Sequence, residues 1–338
     1  MNATGMLKLK FLVPGWYAVV MGLCGLALAW HRAQPFMGDG AAAAALAIGT
    51  LAVAVFAVLA VATVWRAWRH PEAWAEDRRH PVRHTFIAAL PIAIILLATV
   101  GVAVFGPHLL ARALWWVGSL AQWFVTAWVL ARWWRGASAG GLQWASVTPA
   151  LFIPIVGNVL VPLAGVPLGH AEWAAAQFGI GLLFWPVVLT LLVVRLAIQG
   201  LWPERLLPTA FIFIAPPVVV GLSLLQLGAP PLWAWACWGM GVFSFVWAAA
   251  LARRIAAMPF GLPHWGMSFP LAALAALTLR LAQPGQPMAW AGLALLALAS
   301  LLIAGLVLAT VRGLRDGSLL APEPVATLVP VAAAAQPA

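Results

Sequence analysis

His70, His80 and His84 are the nearest this sequence comes to a metal-ligating or proton-carrying set, three imidazoles inside one charged stretch. They fall in Arg66–His84, the longest connection between apolar segments, where a solvated loop is expected. His31, His108 and His170 sit at the opposite ends of apolar segments, and His264 at the same end as the trio. No axial pair for a b-type haem therefore faces another in mid-segment. Cys24 and Cys237 lack metal spacing and read as small packing residues. The serines, histidines and acids form no elbow or triad motif, so neither an enzyme activity nor a cofactor is expected.

The prolines have more chemical consequence. Pro91, Pro154, Pro216 with Pro217, and Pro270 each lie deep in an apolar run. Each of Pro91, Pro154, Pro216 and Pro270 frees the carbonyl four residues back, at Ile87, Ala150, Ile212 and Gly266. Freed carbonyls favour cations, whereas a true break exposes amides and the positive end of the outer half-helix, which favours anions. The residues alone leave both open.

These prolines must be positioned by membrane helices. The chain of 338 residues is 64% apolar and only 8% charged, which places it among polytopic membrane proteins. Charge-free runs predict ten spans, near 11–30, 41–65, 85–106, 110–131, 147–168, 172–194, 207–228, 231–251, 264–280 and 287–311. The first is read as a retained helix, since no small-residue cleavage pattern follows a short core. A single transmembrane domain over 1–316 and a disordered Ala/Pro-rich cytoplasmic tail over 317–338 are expected.

Fifteen Lys and Arg fall on one side of these spans and three, Arg32, Arg112 and Arg280, on the other, which predicts that both termini are cytoplasmic. The prolines occupy spans 3, 5, 7 and 9, spaced 63, 62 and 54 residues apart, one helical hairpin per repeat. In span 1 a small-residue break at Ala18, Gly22 and Gly25 takes the place of proline. Gly25 reads as a packing residue. Five kinked helices around an axis would leave a lumen.

The strings HPVRHTFIAALP (80–91), FIPIVGNVLVPLAG (152–165), PTAFIFIAPP (208–217), PHWGMSFPLAALA (263–275) and IAGLVLATVRGLRDG (303–317) resemble the tellurite-resistance/dicarboxylate transporter family, which includes the plant slow-type anion channels. The resemblance runs from about residue 11 to 317. It implies ten helices as five hairpins with quasi-fivefold symmetry, a central pore walled by the odd helices, and a homotrimer. Members have a pore-plugging phenylalanine in a Trp-x-x-Ser-Phe stretch, which here is Trp265-Gly266-Met267-Ser268-Phe269. Phe269 is thus the expected gate, and a bulky ring beside Pro270 suits an obstruction that must rotate. Two departures stand out: Val20 where members often have a proline, and Ala18 where some have glycine.

Ala18, Gly22, Phe86, Pro91, Pro154, Phe211, Pro216 and Pro270 are expected to line the lumen with Phe269. No carboxylate, Lys, Arg or His sits near a span centre, which disfavours proton-coupled and cation transport. The net charge of +10, mostly on the cytoplasmic side, would make the inner vestibule positive. An anion-selective channel in the bacterial inner membrane is expected, with inorganic or small organic anions, the lipid bilayer and copies of itself as partners and no nucleic acid. A carrier of C4-dicarboxylate, sulfite or tellurite-type oxyanions is the alternative, and a non-conducting scaffold the third reading. The twenty-one tryptophans, Trp65, Trp68, Trp115, Trp116, Trp133, Trp134, Trp202, Trp233 and Trp290 among them, read as an interfacial belt.

Overall fold

Five times along the chain, a short 3-10 helix leads into an α-helix without a gap. The computed structural model describes residues 9–321. The lead-ins are Pro14–Trp16, Arg83–Ala88, Pro149–Leu151, Glu204–Ile214 and Leu262–Met267. They run into α1 (Tyr17–Arg32), α3 (Ala89–Phe105), α5 (Phe152–Val159), α7 (Ala215–Gln226) and α9 (Ser268–Leu281). Between them stand α2 (Asp39–Arg69), α4 (Leu109–Ala131), α6 (Ala171–Gln199), α8 (Pro231–Ala249) and α10 (Pro287–Arg315).

This arrangement corrects the expectation of mid-helix kinks. Pro91, Pro154, Pro217 and Pro270 are each the third α-helical residue after the junction. There the backbone bond changes from the third to the fourth preceding carbonyl, and a missing N–H takes little from the ladder. In α1 the third residue is Val19, so the junction forms without proline, and the small residues of span 1 do not break the helix. Hydroxyls brace three lead-ins by donating to the carbonyl three residues back: Thr85 to Val82, Thr209 to Leu206 and Ser268 to Trp265, at 2.8, 2.6 and 2.6 Å.

The one true interruption is in the fifth segment, where α5 stops at Val159 and helix resumes at Pro162–Gly165. In an apolar environment its carbonyls need partners. Trp115 Nε1 of α4 donates to Val161 O at 2.9 Å, and Ser223 Oγ of α7 donates to Val159 O. Pro154 O accepts from Gln122 Nε2 (2.8 Å), Thr126 Oγ1 (2.6 Å) and Asn158 Nδ2 (3.0 Å).

Among the described residues, eight helices are long and apolar enough to cross a membrane. Of the ten expected spans, the first has an α-helix of only 16 residues and the fifth is the interrupted one, Pro149–Gly165. The spans fall into two layers. Arg83–Phe105, Glu204–Gln226 and Leu262–Leu281 are 67%, 89% and 83% buried, whereas α2, α6, α8, α10 and the α4 span are between 22% and 33% buried, so the odd helices are inside. Each packs on the even helix that follows it in the chain. Inside, α1 packs on α3, α3 on α5, α5 on α7, α7 on α9 and α9 back on α1.

Three further features differ from the sequence reading. Pro186 lies inside α6, so proline is not confined to the odd segments. Arg66–His84 is not a loop: α2 runs on to Arg69, and a short helix, Pro71–Arg79, follows. Trp115 and Trp202 are buried and donate indoles to carbonyls rather than standing at the lipid surface, while Trp68, Trp134, Trp233 and Trp290 are exposed. Of the tail expected over 317–338, Ser318–Leu320 form a 3-10 turn, and the residues from 322 on lie outside those described.

Candidate functional site

A cavity of about 930 Å³ opens among the inner ring helices, bordered mainly by their 3-10 ends and reaching along α5 as far as Leu160. Its deep wall is apolar: Ala18 and Met21 of α1, Ile92 of α3, Ile153 and Val156 of α5, Phe269 of α9. No residue of α1 beyond Met21, of α3 beyond Ile92 or of α9 beyond Pro270 borders it. Ala18, Ile153 and Phe269 are each the second residue after their junctions, yet Phe269 packs beside Gly25, seven residues further along α1 than Ala18.

Phe269 is only 6% exposed. Its ring lies against Gly25 of α1, where a Cβ would come within 2.9 Å of Phe269 Cδ2 and 3.3 Å of Ala272 Cβ. Hydrogen in place of methyl thus forms the notch that receives the ring. One residue earlier, Ser268 packs against Gly22, and Trp265 donates to Thr310 Oγ1 of α10 at 2.9 Å. These contacts fix the backbone that leads into Phe269, whose ring borders the cavity.

Of the expected lumen residues, Ala18, Phe86, Phe269 and Pro270 border the cavity. The others lie elsewhere. Gly22 is occupied by its contact with Ser268 and Trp265. Pro91 turns its carbonyl to Gly118 of α4, and that of Pro154 is taken by the α4 and α5 side chains. Phe211 meets Phe245 of α8 with centroids 6.5 Å apart, and Pro216 is buried within the ring of helices. Spacing alone marks Gly25 as a packing residue; nothing in the sequence indicates that its packing partner is Phe269.

The rim is charged, but its charges are largely matched. Lys10, Arg66, Arg83 and Arg205 border the cavity together with Glu76 and Glu204. The fully buried Asp77 bridges Arg66 at 2.7 Å and Arg83 at 3.0 Å, and Arg83 also meets Glu76 at 3.1 Å. Glu204 pairs with Arg254 at 3.1 Å. The vestibule is less positive than a count of Lys and Arg implies, because helix Pro71–Arg79 brings its carboxylates back to the bundle.

The histidine trio is dispersed into separate structural uses. His80 Nδ1 accepts from the N–H groups of Val82 and Arg83, at 3.1 and 3.0 Å, and so caps the 3-10 lead-in of α3. His84 Nδ1 donates to His80 O, and His70 lies 3.3 Å from Glu72. Among the described residues, no three His, Cys, Asp or Glu side chains come together as a metal site.

The sequence profile of the family described as voltage-dependent anion channels matches residues 12–311. A tellurite resistance protein homologue of Haemophilus influenzae is 25% identical over 267 residues, covering 78% of this chain and 79% of that protein. An S-type anion channel of Arabidopsis thaliana is 27% identical over 214 residues, 62% of this chain and 40% of the plant protein. An uncharacterized transporter of Methanocaldococcus jannaschii is 21% identical over 294 residues, 79% of this chain and 83% of the relative.

Proposed function

Because the chain belongs to the voltage-dependent anion channel family, we propose that it conducts small anions passively along the axis of its inner helices, and that Phe269 closes the path. The observation that carries this reading is the position of Phe269 on the deep apolar wall of the vestibule, which along α1, α3 and α9 ends at Met21, Ile92 and Pro270 and continues only on the α5 side to Leu160. A narrow apolar segment excludes water, and a ring held by a glycine notch can leave it by side-chain rotation with little backbone movement. The deep wall has no fixed charge, so ions would bind weakly and leave quickly.

On this reading the ten helical segments are ten membrane passages, quasi-fivefold about the path, in a homotrimer in the bacterial inner membrane. The vestibule and both termini face the cytoplasm. The permeant species are inorganic or small organic anions. Purified protein in liposomes tests the proposal: Phe269→Ala should release trapped nitrate or chloride far faster than wild type, without saturation. Saturable uptake of malate with counterflow, and no passive anion release from the folded variant, would replace the channel with a carrier.

A further inference from the structure

The outer ends of α1 and α9 carry Arg32 and Arg280, two of the three cations on that side of the bundle. Helical register sets them above the gate region. Arg280 lies eleven residues beyond Phe269, about three turns, and so returns to the same face of α9 roughly 16 Å further out. Arg32 lies seven residues beyond Gly25, about two turns, and returns to the face of α1 that receives the Phe269 ring. The two arginines therefore end the same seam between helices that holds Phe269.

The pair has no internal counter-charge. Neither side chain has a hydrogen bond or an ion pair among the described residues, and the charge that acts on Arg32 is that of Arg280. Arg32 is half-buried, between Ala29 and Ala33, which are wholly buried. Glu172 and Asp39, the carboxylates nearest to this end in sequence, are exposed at the starts of α6 and α2 and pair with neither arginine. Arg280 is exposed and Arg32 partly desolvated, and an anion that reaches both from the end of the α1–α9 seam would offset their like charge. Arginine's planar fork suits oxyanions and carboxylates as well as halide.

We propose that Arg32 and Arg280 form an anion site at the outer mouth of the central path, which takes a small inorganic anion or a carboxylate between the two guanidinium groups. The inference rests on the reading of that path as an anion route. Inward-moving anions would be concentrated at this site, and outward-moving ones released from it.

Two measurements on the full-length protein separate the site from the channel reading. In detergent, nitrate replacing a bulky organic sulfonate at constant ionic strength should raise the melting temperature of wild type. That rise should be lost in Arg32→Gln and Arg280→Gln and partly kept in the Lys variants. In a Phe269→Ala background, either Gln variant should lower the inward anion current about tenfold at low external chloride, the difference vanishing at high chloride. A melting temperature indifferent to nitrate in wild type, or equally raised in both Gln variants, overturns the site even if Phe269→Ala conducts. A nitrate effect that follows the arginines while Phe269→Ala passes no anion leaves the site standing and overturns the channel. Should a Gln variant fail to fold, wild type and the Lys variants decide: a shift undiminished in both Lys variants contradicts binding by the paired forks.

Discussion

A methyl group on Gly25 would sit 2.9 Å from Cδ2 of Phe269, closer than side chains normally approach, and the ring is the movable partner. Gly25→Ala should therefore push Phe269 out of its notch and raise the resting anion current above wild type, though less than Phe269→Ala does. Gly22→Ala should act differently. Its Cβ would meet Ser268 and Trp265, which are tied to backbone and to Thr310, so the helices themselves would have to part. A loss of about 1–3 kcal/mol in stability is expected, read as a lower melting temperature with no gain of current. Equal behaviour of the two variants would contradict the separate roles given to them. Phe269 was legible in the sequence because a motif and a following proline mark it. The roles of Gly22 and Gly25 were not, since small residues at helical spacing show that something approaches but not what.

The recurring element is a 3-10 lead-in joined to an α-helix, and proline attends it without being required. Pro270→Ala should keep the fold and change stability by no more than about 1 kcal/mol, because α1 makes the same junction with Val19. Trp115→Phe should cost about 1–3 kcal/mol, because it shrinks a fully buried ring and removes the indole bond to Val161 O where α5 breaks off, leaving that carbonyl only the Gly165 N–H. Thermal unfolding of both variants in one detergent checks the contrast, and a larger loss from Pro270→Ala would contradict it. Alternation of prolines made the odd segments legible as a class. The 3-10 conformation was not, because three and 3.6 residues per turn cannot be told apart over the one or two turns that most lead-ins contain. Pro186 in α6 shows where the alternation rule fails: it sits in an outer helix whose neighbouring surface is largely exposed.

At the scale of the whole molecule, hydropathy located most of the spans, but the cyclic packing of α1, α3, α5, α7 and α9 depends on which faces meet, and composition contains no such information. Charge shows the same limit. Counting residues predicted a strongly positive vestibule, whereas Asp77 at the hub of Arg66 and Arg83 neutralises much of it. Asp77→Asn should destabilise the protein by about 3–5 kcal/mol, since Arg66 would be left buried without its counter-charge. Unchanged thermal unfolding would show that water already satisfies that arginine. As proposed, the ring of helices is an anion path shut by Phe269. Its most direct test is the reversal potential of Phe269→Ala in a planar membrane under a chloride gradient. A current that reverses near the chloride equilibrium potential is expected, with wild type nearly silent beside it. A folded Phe269→Ala protein that passes no current, or one whose reversal follows the cation, would contradict the claim.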